Sequence, residues 1–203
     1  MFPSIDLSEA VWPRRAAALP GFVTLRTFGI DDPDRAAVER FIREVFRRRH
    51  GATVRSFAPT LVAVRNPQGE LVAAAGYRCA AEGPLFLERY LGAPVEALLG
   101  DGSALPVARR RIAEVGHLVA TESGQGRRLI MALGAHLALR RYQWVVATLT
   151  EELRHLFKRL GIDALPLAPA HPDALGPEAA DWGRYYEHHP VVFAGRVDVS
   201  RRA

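Results

Sequence analysis

Residues 109–141, RRRIAEVGHLVATESGQGRRLIMALGAHLALRR, constrain this chain more than any other stretch. Ile112, Val115, Leu118 and Val119 supply a strand of roughly ten residues. Ser123-Gly124-Gln125-Gly126 breaks that pattern. Leu129, Ile130, Leu133 and Leu137 then recur at helical spacing, so a helix follows the turn directly. The first N–H groups of such a helix have no partner within it, and the helix dipole is positive there. A strand feeding a glycine turn into a helix is therefore an anion site, and Arg127 and Arg128 add full charges to it. The expected ligand group is a phosphate or pyrophosphate. The plainer alternative is an ordinary strand–turn–helix capped by Ser123.

The rest of the chain reads as an α/β (α+β) arrangement around this unit. Residues 1–20 are an irregular arm anchored by Trp12, and the domain proper is expected over residues 21–199. Residues 22–28 alternate as a first strand. Asp32 is the expected N-cap of a helix with Pro33 at its first position, and Gly51 ends it. Residues 59–65 and 70–78 form a hairpin across Asn66-Pro67-Gln68-Gly69. Gly76 marks a bulge or a close backbone approach. Residues 83–91 and 94–99 read as two short helices, either covering a substrate site or packed as a satellite pair. Residues 143–149 are a buried strand, and Thr150 then caps a helix that Gly161 stops. Residues 163–181 read as a loop, Trp182 to Glu187 as an aromatic turn, and residues 190–199 as the last strand. The strand–helix–strand run from 109 to 149 predicts a parallel crossover, so the sheet is mixed, with helices on both faces.

Composition narrows the partners. The net charge of +5 is carried almost wholly by arginine, with Lys158 the sole lysine. Arginine suits phosphate and acidic partners. The basic residues are dispersed and not interleaved with aromatic residues, so nucleic acid is not the expected partner. Cys79 is the one cysteine, which points to a reducing, cytoplasmic setting. MFPSIDLSEAVWPRR lacks the basic start and apolar run of a signal peptide, and no apolar stretch is long enough for stable membrane insertion. His188-His189 is not read as a metal pair, and no metal is assigned.

Two local motifs resemble the GNAT acyltransferase superfamily. Thr121-Glu122-Ser123-Gly124-Gln125-Gly126 is similar to its acyl-carrier turn, Gln/Arg-x-x-Gly-x-Gly/Ala, with Thr121 at the usual Gln or Arg. Residues 156–162, LFKRLGI, resemble its Phe-Tyr-x-x-Leu-Gly-Phe motif, with Phe157 where a general-acid tyrosine often stands. A narrower resemblance runs from about residue 24 to residue 197. Residues 45–52, 76–78, 84–91, 113–120 and 182–187 look like the thermostable hemolysin family. The resemblance implies a GNAT-like mixed sheet of about seven strands. It also implies a layout similar to the acyl-homoserine-lactone synthases, which lack the tyrosine and draw acyl chains from acyl carrier protein or CoA.

That resemblance implies roles for named residues. Splayed fourth and fifth strands would lay the pantetheine arm along Leu118, Val119 and Ala120, with backbone amides after Leu118 as oxyanion donors. Gly124, Gln125, Gly126, Arg127 and Arg128 would take the phosphates. Glu114 is the first candidate for the base. Strand alternation puts it on one face with Gly116 and Leu118, and burial would raise its pKa. The alternative is an ion pair with Arg109 or Arg111. His117, on the other face or at a bulge, is the second candidate. Tyr185, Tyr186 and Trp182 are candidates for lining the acceptor pocket or supplying the acid.

The expected function is N-acyl transfer from acyl carrier protein or acyl-CoA to a small amine acceptor. One alternative is a membrane-active hemolytic protein with an exposed apolar face in residues 84–99. Another is an acyl-carrier-binding domain without turnover, given Phe157 and Thr121. A surfactant-like acyl product would link the enzyme to lysis indirectly.

Overall fold

A computed structural model describes residues 25–99, 107–122 and 124–197 of the 203-residue chain. The expected N-terminal arm, the start of the first strand at residues 22–24, the Ser123 cap and the domain end at 198–199 lie outside the described residues. The strands are β1 (Leu25–Phe28), β2 (Thr60–Arg65), β3 (Leu71–Cys79), β4 (Ile112–Ala120), β5 (Trp144–Leu149), β6 (Leu165–Pro169) and β7 (Val191–Arg196). They form one mixed sheet in the order β1-β2-β3-β4-β5-β7-β6. Helices α1 (Arg35–His50), α2 (Glu88–Leu91), α3 (Gln125–Leu139) and α4 (Glu151–Arg159) complete the fold. The α/β class and the parallel β4–α3–β5 crossover agree with the sequence reading.

Alternation along each strand sorts side chains onto two faces. Val62, Ala73, Ala75, Ala113, Val115, Val145 and Ala147 join Leu129, Leu133 and Phe157 in a cluster beneath α3 and α4. Leu61, Ala63, Ala74 and Val119 pack on the opposite face against Val38, Ile42, Val45 and Phe46 of α1. Further along that second face, Leu85, Leu87, Val95 and Leu99 close over Ile112, Trp144 and Val146. The 84–99 segment thus turns its apolar side inward. The exposed apolar face expected of a membrane-active segment is not there, because the sheet buries it. No helix among the described residues is long and apolar enough to cross a membrane.

Three local readings are corrected. Helix α1 begins at Arg35 because the Asp32 carboxylate first accepts the Asp34 N–H (2.9 Å), closing a turn before the helix can start. The 163–181 loop contains β6, whose Pro166 and Pro169 hid it. Proline is tolerated there because β6 is the edge strand. The last strand starts at Val191, and His188 and His189 lie in the 3-10 turn before it and at its cap.

The feature that positions the site is a parting of strands. β4 and β5 pair from Ile112↔Trp144 to Val115↔Ala147 and no further. β5 stays paired with β7 through Leu149↔Val191. On its other edge β4 follows β3, but between Ala74↔Val119 and Gly76↔Gly116 two residues of β4, His117 and Leu118, stand opposite one of β3, Ala75. The extra residue falls at His117, whose φ is 54°. A bulge bends the strand that carries it. β4 therefore turns away from β5 where the bulge begins, and a cleft opens between them.

The aromatic turn that walls the cleft is seated by one glycine. The Arg184 N–H donates to the His50 carbonyl (2.7 Å), and a Cβ on Gly183 would lie 2.2 Å from that same oxygen. Gly183 and Gly161 both have positive φ, but nothing surrounds Gly161 within 4 Å. In chemical unfolding, Gly161→Ala should cost about 1 kcal/mol from backbone strain alone. Gly183→Ala should cost roughly 2–4 kcal/mol, because the turn must also lift off α1. Equal losses would contradict this seating.

Candidate functional site

The cleft is a cavity of about 830 Å³ that passes through the sheet between the parted strands. Its two halves differ in chemistry. On the α3 side it is lined by Val115, Leu118, Ile130, Leu133, Leu137, Val145 and Leu156, all apolar. On the α1 side it is lined by aromatic and charged groups, among them Phe46, Phe86, Trp182, Tyr185, Glu114 and Arg78. The mouth is formed by Gly124, Gly126 and Arg127 at the start of α3, with Arg49 from α1 and Arg159 from α4.

At the mouth a glycine turn leads from β4 into α3, the local order read from the sequence. Gly124 is the N-cap, at φ 80°, a left-handed conformation that suits glycine. Its carbonyl accepts the Arg128 N–H (3.1 Å) as the helix begins. The Gly126 and Arg127 amides sit in the first turn, where the helix offers no acceptor. A Cβ at Gly126 would meet Ala120 and Leu156 at 3.7 Å, so the position is open to the cleft and any long side chain would fill it. Arg49 spans the gap to donate to the Ala120 carbonyl (2.9 Å).

Of the predicted carrier contacts, Leu118, Val119, Ala120, Gly124, Gly126 and Arg127 line the cavity. Gln125 and Arg128 do not. The Gln125 amide turns back to the Glu122 carboxylate (3.4 Å). Thr121 lines the cavity, but its hydroxyl donates to the Val72 carbonyl (3.3 Å).

Glu114 is buried, at 9% exposure, and lies where the strands begin to part. Its two oxygens accept the backbone N–H groups of Leu87 (2.8 Å) and Phe86 (3.1 Å). Burial raises its pKa, outweighing those two amides and the Arg78 charge, which act to lower it. The alternative ion pairs are not formed. Arg109 binds Glu88 (2.7 Å) and Glu96, and Arg111 donates to the Arg141 carbonyl.

The bulge overturns the predicted facing of β4. Glu114 and His117 point to the same side, toward α1, while Leu118 points under α3. The His117 ring packs against Phe57 (5.2 Å) and Phe46 (6.3 Å). Its Nδ1 is buried beside Gly76 without a partner. The close approach read at Gly76 is thus to Ala58, Leu61 and this ring. Burial lowers the His117 pKa to about 4, against a smaller opposing effect of the Ser56 backbone. His117 is therefore neutral near pH 7. His50, also on the lining, is lowered to about 4 by burial and by His188.

Tyr185 lies on the cavity wall among Trp182 (5.4 Å), His50 (5.4 Å) and Phe46 (6.5 Å), with its hydroxyl toward the Thr148 carbonyl (3.5 Å). Tyr186 stands outside the lining, hydrogen-bonded to Tyr90 (2.7 Å). Burial pushes both tyrosines above the usual phenol range, so each is a poor proton donor. Phe157 lines the cavity and offers no proton. Sequence reasoning missed Arg78, Arg49 and Phe86 as site residues. Arg78 lies directly opposite Glu114, which only the β3–β4 register reveals.

A family model described as "Thermostable hemolysin" matches residues 29–201. The chain belongs to the thermostable hemolysin family. No curated protein matches it. The fold of this family member is similar to LasI, an AHL synthase, with 12% identity, a TM-score of 0.60 and 87% and 91% of the two chains covered. It is similar to FeeM, an N-acyl amino acid synthase from uncultured soil microbes, with 16% identity, a TM-score of 0.58 and 87% and 92% covered. TofI bound to an inhibitor and MTA gives 18% identity, a TM-score of 0.59 and 86% and 91% covered. The fold is thus the GNAT-like one expected from the sequence.

A histidine whose pKa falls on folding binds fewer protons in the native state, so its contribution weakens stability as pH falls below its unfolded value. His117→Asn keeps a residue that tolerates positive φ and removes this titration. The stability difference between wild type and His117→Asn should shift toward wild type as pH rises from about 4 to 6.5, then stay flat. Urea unfolding across that range measures it. A difference independent of pH would contradict the burial of a neutral ring.

Proposed function

We propose that this chain is an N-acyltransferase that moves a fatty acyl group from CoA or acyl carrier protein to a small amine. The observation that carries the reading is the parting of β4 and β5 above a glycine-turn helix start, with an apolar passage on one side and a buried carboxylate on the other. In this reading the phosphates meet the Gly126 and Arg127 amides and the charges of Arg127, Arg49 and Arg159. The pantetheine arm takes the edge of β4 that β5 has left. The acyl chain runs beneath α3. From Gly126 to Leu137 that passage follows roughly 16 Å of helix at about 1.5 Å per residue. An apolar passage of that length fits a fatty chain better than an acetyl group.

The chemistry needs little beyond position. The acceptor's ammonium first loses one proton to solvent. The amine nitrogen then attacks the thioester carbonyl, a C–N bond forms and the C–S bond breaks. Glu114 takes the proton that the nitrogen sheds and passes it to the departing thiolate. An amide and a free thiol result. A carboxylate with a raised pKa suits this exchange, and each of its oxygens keeps a lone pair beyond the amide it accepts. His117, neutral and packed against Gly76, holds the bulge and takes no part in the proton transfer. The unpaired backbone at the bulge supplies the oxyanion donors.

The lytic alternative needs an exposed apolar segment, and residues 84–99 bury theirs. An amphiphilic N-acyl product accounts for lysis without one.

Calorimetry with acyl-CoA thioesters, paired with turnover on an amine panel, tests the reading. Affinity should rise roughly fourfold per added methylene, from about 0.8 kcal/mol each, until the chain reaches Leu137. Gly126→Glu should abolish binding, and Glu114→Gln should leave binding while lowering kcat/KM about a hundredfold or more. Chain-independent binding, or a fully active Gly126→Glu, would refute the proposal.

A further inference from the structure

The α1 side of the cleft holds two opposite charges that face the same way and do not pair. Arg78 and Glu114 are direct partners across β3 and β4, so their side chains leave the same face of the sheet about 5 Å apart at the backbone. Arg78 has no carboxylate partner among the described residues. It donates to the Pro84 carbonyl (3.2 Å). Glu114 accepts two amides of the same loop, those of Phe86 and Leu87. One segment, residues 84–87, thus holds the cation and the anion apart instead of letting them close on each other. Two other cavity arginines lack this freedom. Arg55 is paired to Asp181 (2.7 Å) and Arg89 to Glu178 (2.7 Å).

Beside this pair stands an aromatic box. Trp182 lies 5.6 Å from Phe86, 5.4 Å from Tyr185 and 6.2 Å from Phe46 between ring centres. Phe86 is fixed there by the Glu114 carboxylate on its own N–H. A separated cation and anion beside a flat apolar wall match one kind of small molecule.

Resting on the acyl-transfer reading above, we infer that the acceptor is an α-amino acid with a flat, apolar side chain. Its carboxylate pairs with Arg78, its amine faces Glu114, and its side chain lies against the aromatic wall of Phe46, Phe86, Trp182 and Tyr185. The amine is thereby delivered to the point where β4 and β5 part and the thioester carbonyl arrives. The product is an N-acyl amino acid, with its chain under α3 and its head group under α1.

The test is a calorimetric comparison of two product-like probes, N-decanoyl-phenylalanine and N-decanoyl-phenethylamine, which differ only in the carboxylate. Wild type should bind the acid at least about tenfold more tightly, as expected for a charged hydrogen-bonded pair. Arg78→Gln should erase that preference and leave the phenethylamine probe unchanged. Arg78→Lys, which keeps the charge and guards against misfolding of the neutral variant, should retain part of it. No preference in wild type, or a preference that survives Arg78→Gln, overturns the assignment. Decanoyl-CoA titrated in parallel separates the two claims. If it binds and the acid is not preferred, only the acceptor assignment fails. If neither it nor decanoyl-acyl carrier protein binds, the acyl-transfer reading fails and the acceptor falls with it.

Discussion

Everything at the site depends on one extra residue in β4. Two residues of that strand stand opposite one of β3, and His117 takes a left-handed backbone to absorb the excess. The ladder to β5 ends as a result, while β5 keeps its pairing with β7. An opening through the middle of a sheet would ordinarily leave backbone polar groups and apolar side chains without partners. Here the opening is lined on one side by α3 and on the other by α1 and the aromatic turn. The His117 ring packs into the space that Gly76 leaves, which fixes the bulge in place. A Cβ at Gly76 would sit 3.0 Å from Ala58 and 3.3 Å from that ring, so the two positions are coupled.

The same parting separates two chemistries. Beneath α3 the lining is Leu, Ile and Val, where burial of methylenes is the only available source of affinity. Toward α1 the lining combines a buried carboxylate, arginines and aromatic rings. Burial of Glu114 is unfavourable for its charged form and is offset by two backbone amides. Those amides belong to the loop that carries Phe86 and, through Pro84, restrains Arg78. The charged form of Glu114 and the shape of the aromatic wall are therefore one arrangement, and loosening either loosens both.

The sequence made the local parts of this legible and the non-local parts opaque. The strand, glycine turn and helix of residues 112–139 could be read directly because each signal lies within a few residues of the next. The bulge was legible only as one of two readings at Gly76 and at His117, since it is a mismatch with β3 that the pairing alone decides. Plain alternation therefore put Glu114 with Leu118, and the structure puts it with His117. Glu114's real partners lie at Phe86 and Leu87, and neighbouring arginines in sequence turned out to be engaged elsewhere. Trp182 and Tyr185 were legible as an aromatic cluster, but their place on the cavity wall depends on the Gly183 contact with α1. Strand β6 was hidden because its prolines argue against a strand anywhere except at an edge.

The central claim is that the parted edge of β4 and the start of α3 together receive the acyl donor. Amide chemical shifts of the full-length protein, followed by NMR as decanoyl-CoA is added, test it most directly. The account predicts that the amides of residues 116–120, Gly124, Gly126 and Arg127 move together and saturate at one concentration. Shifts confined to the β1–β2 edge of the sheet, or no change at the β4 amides while the thioester binds, would contradict it.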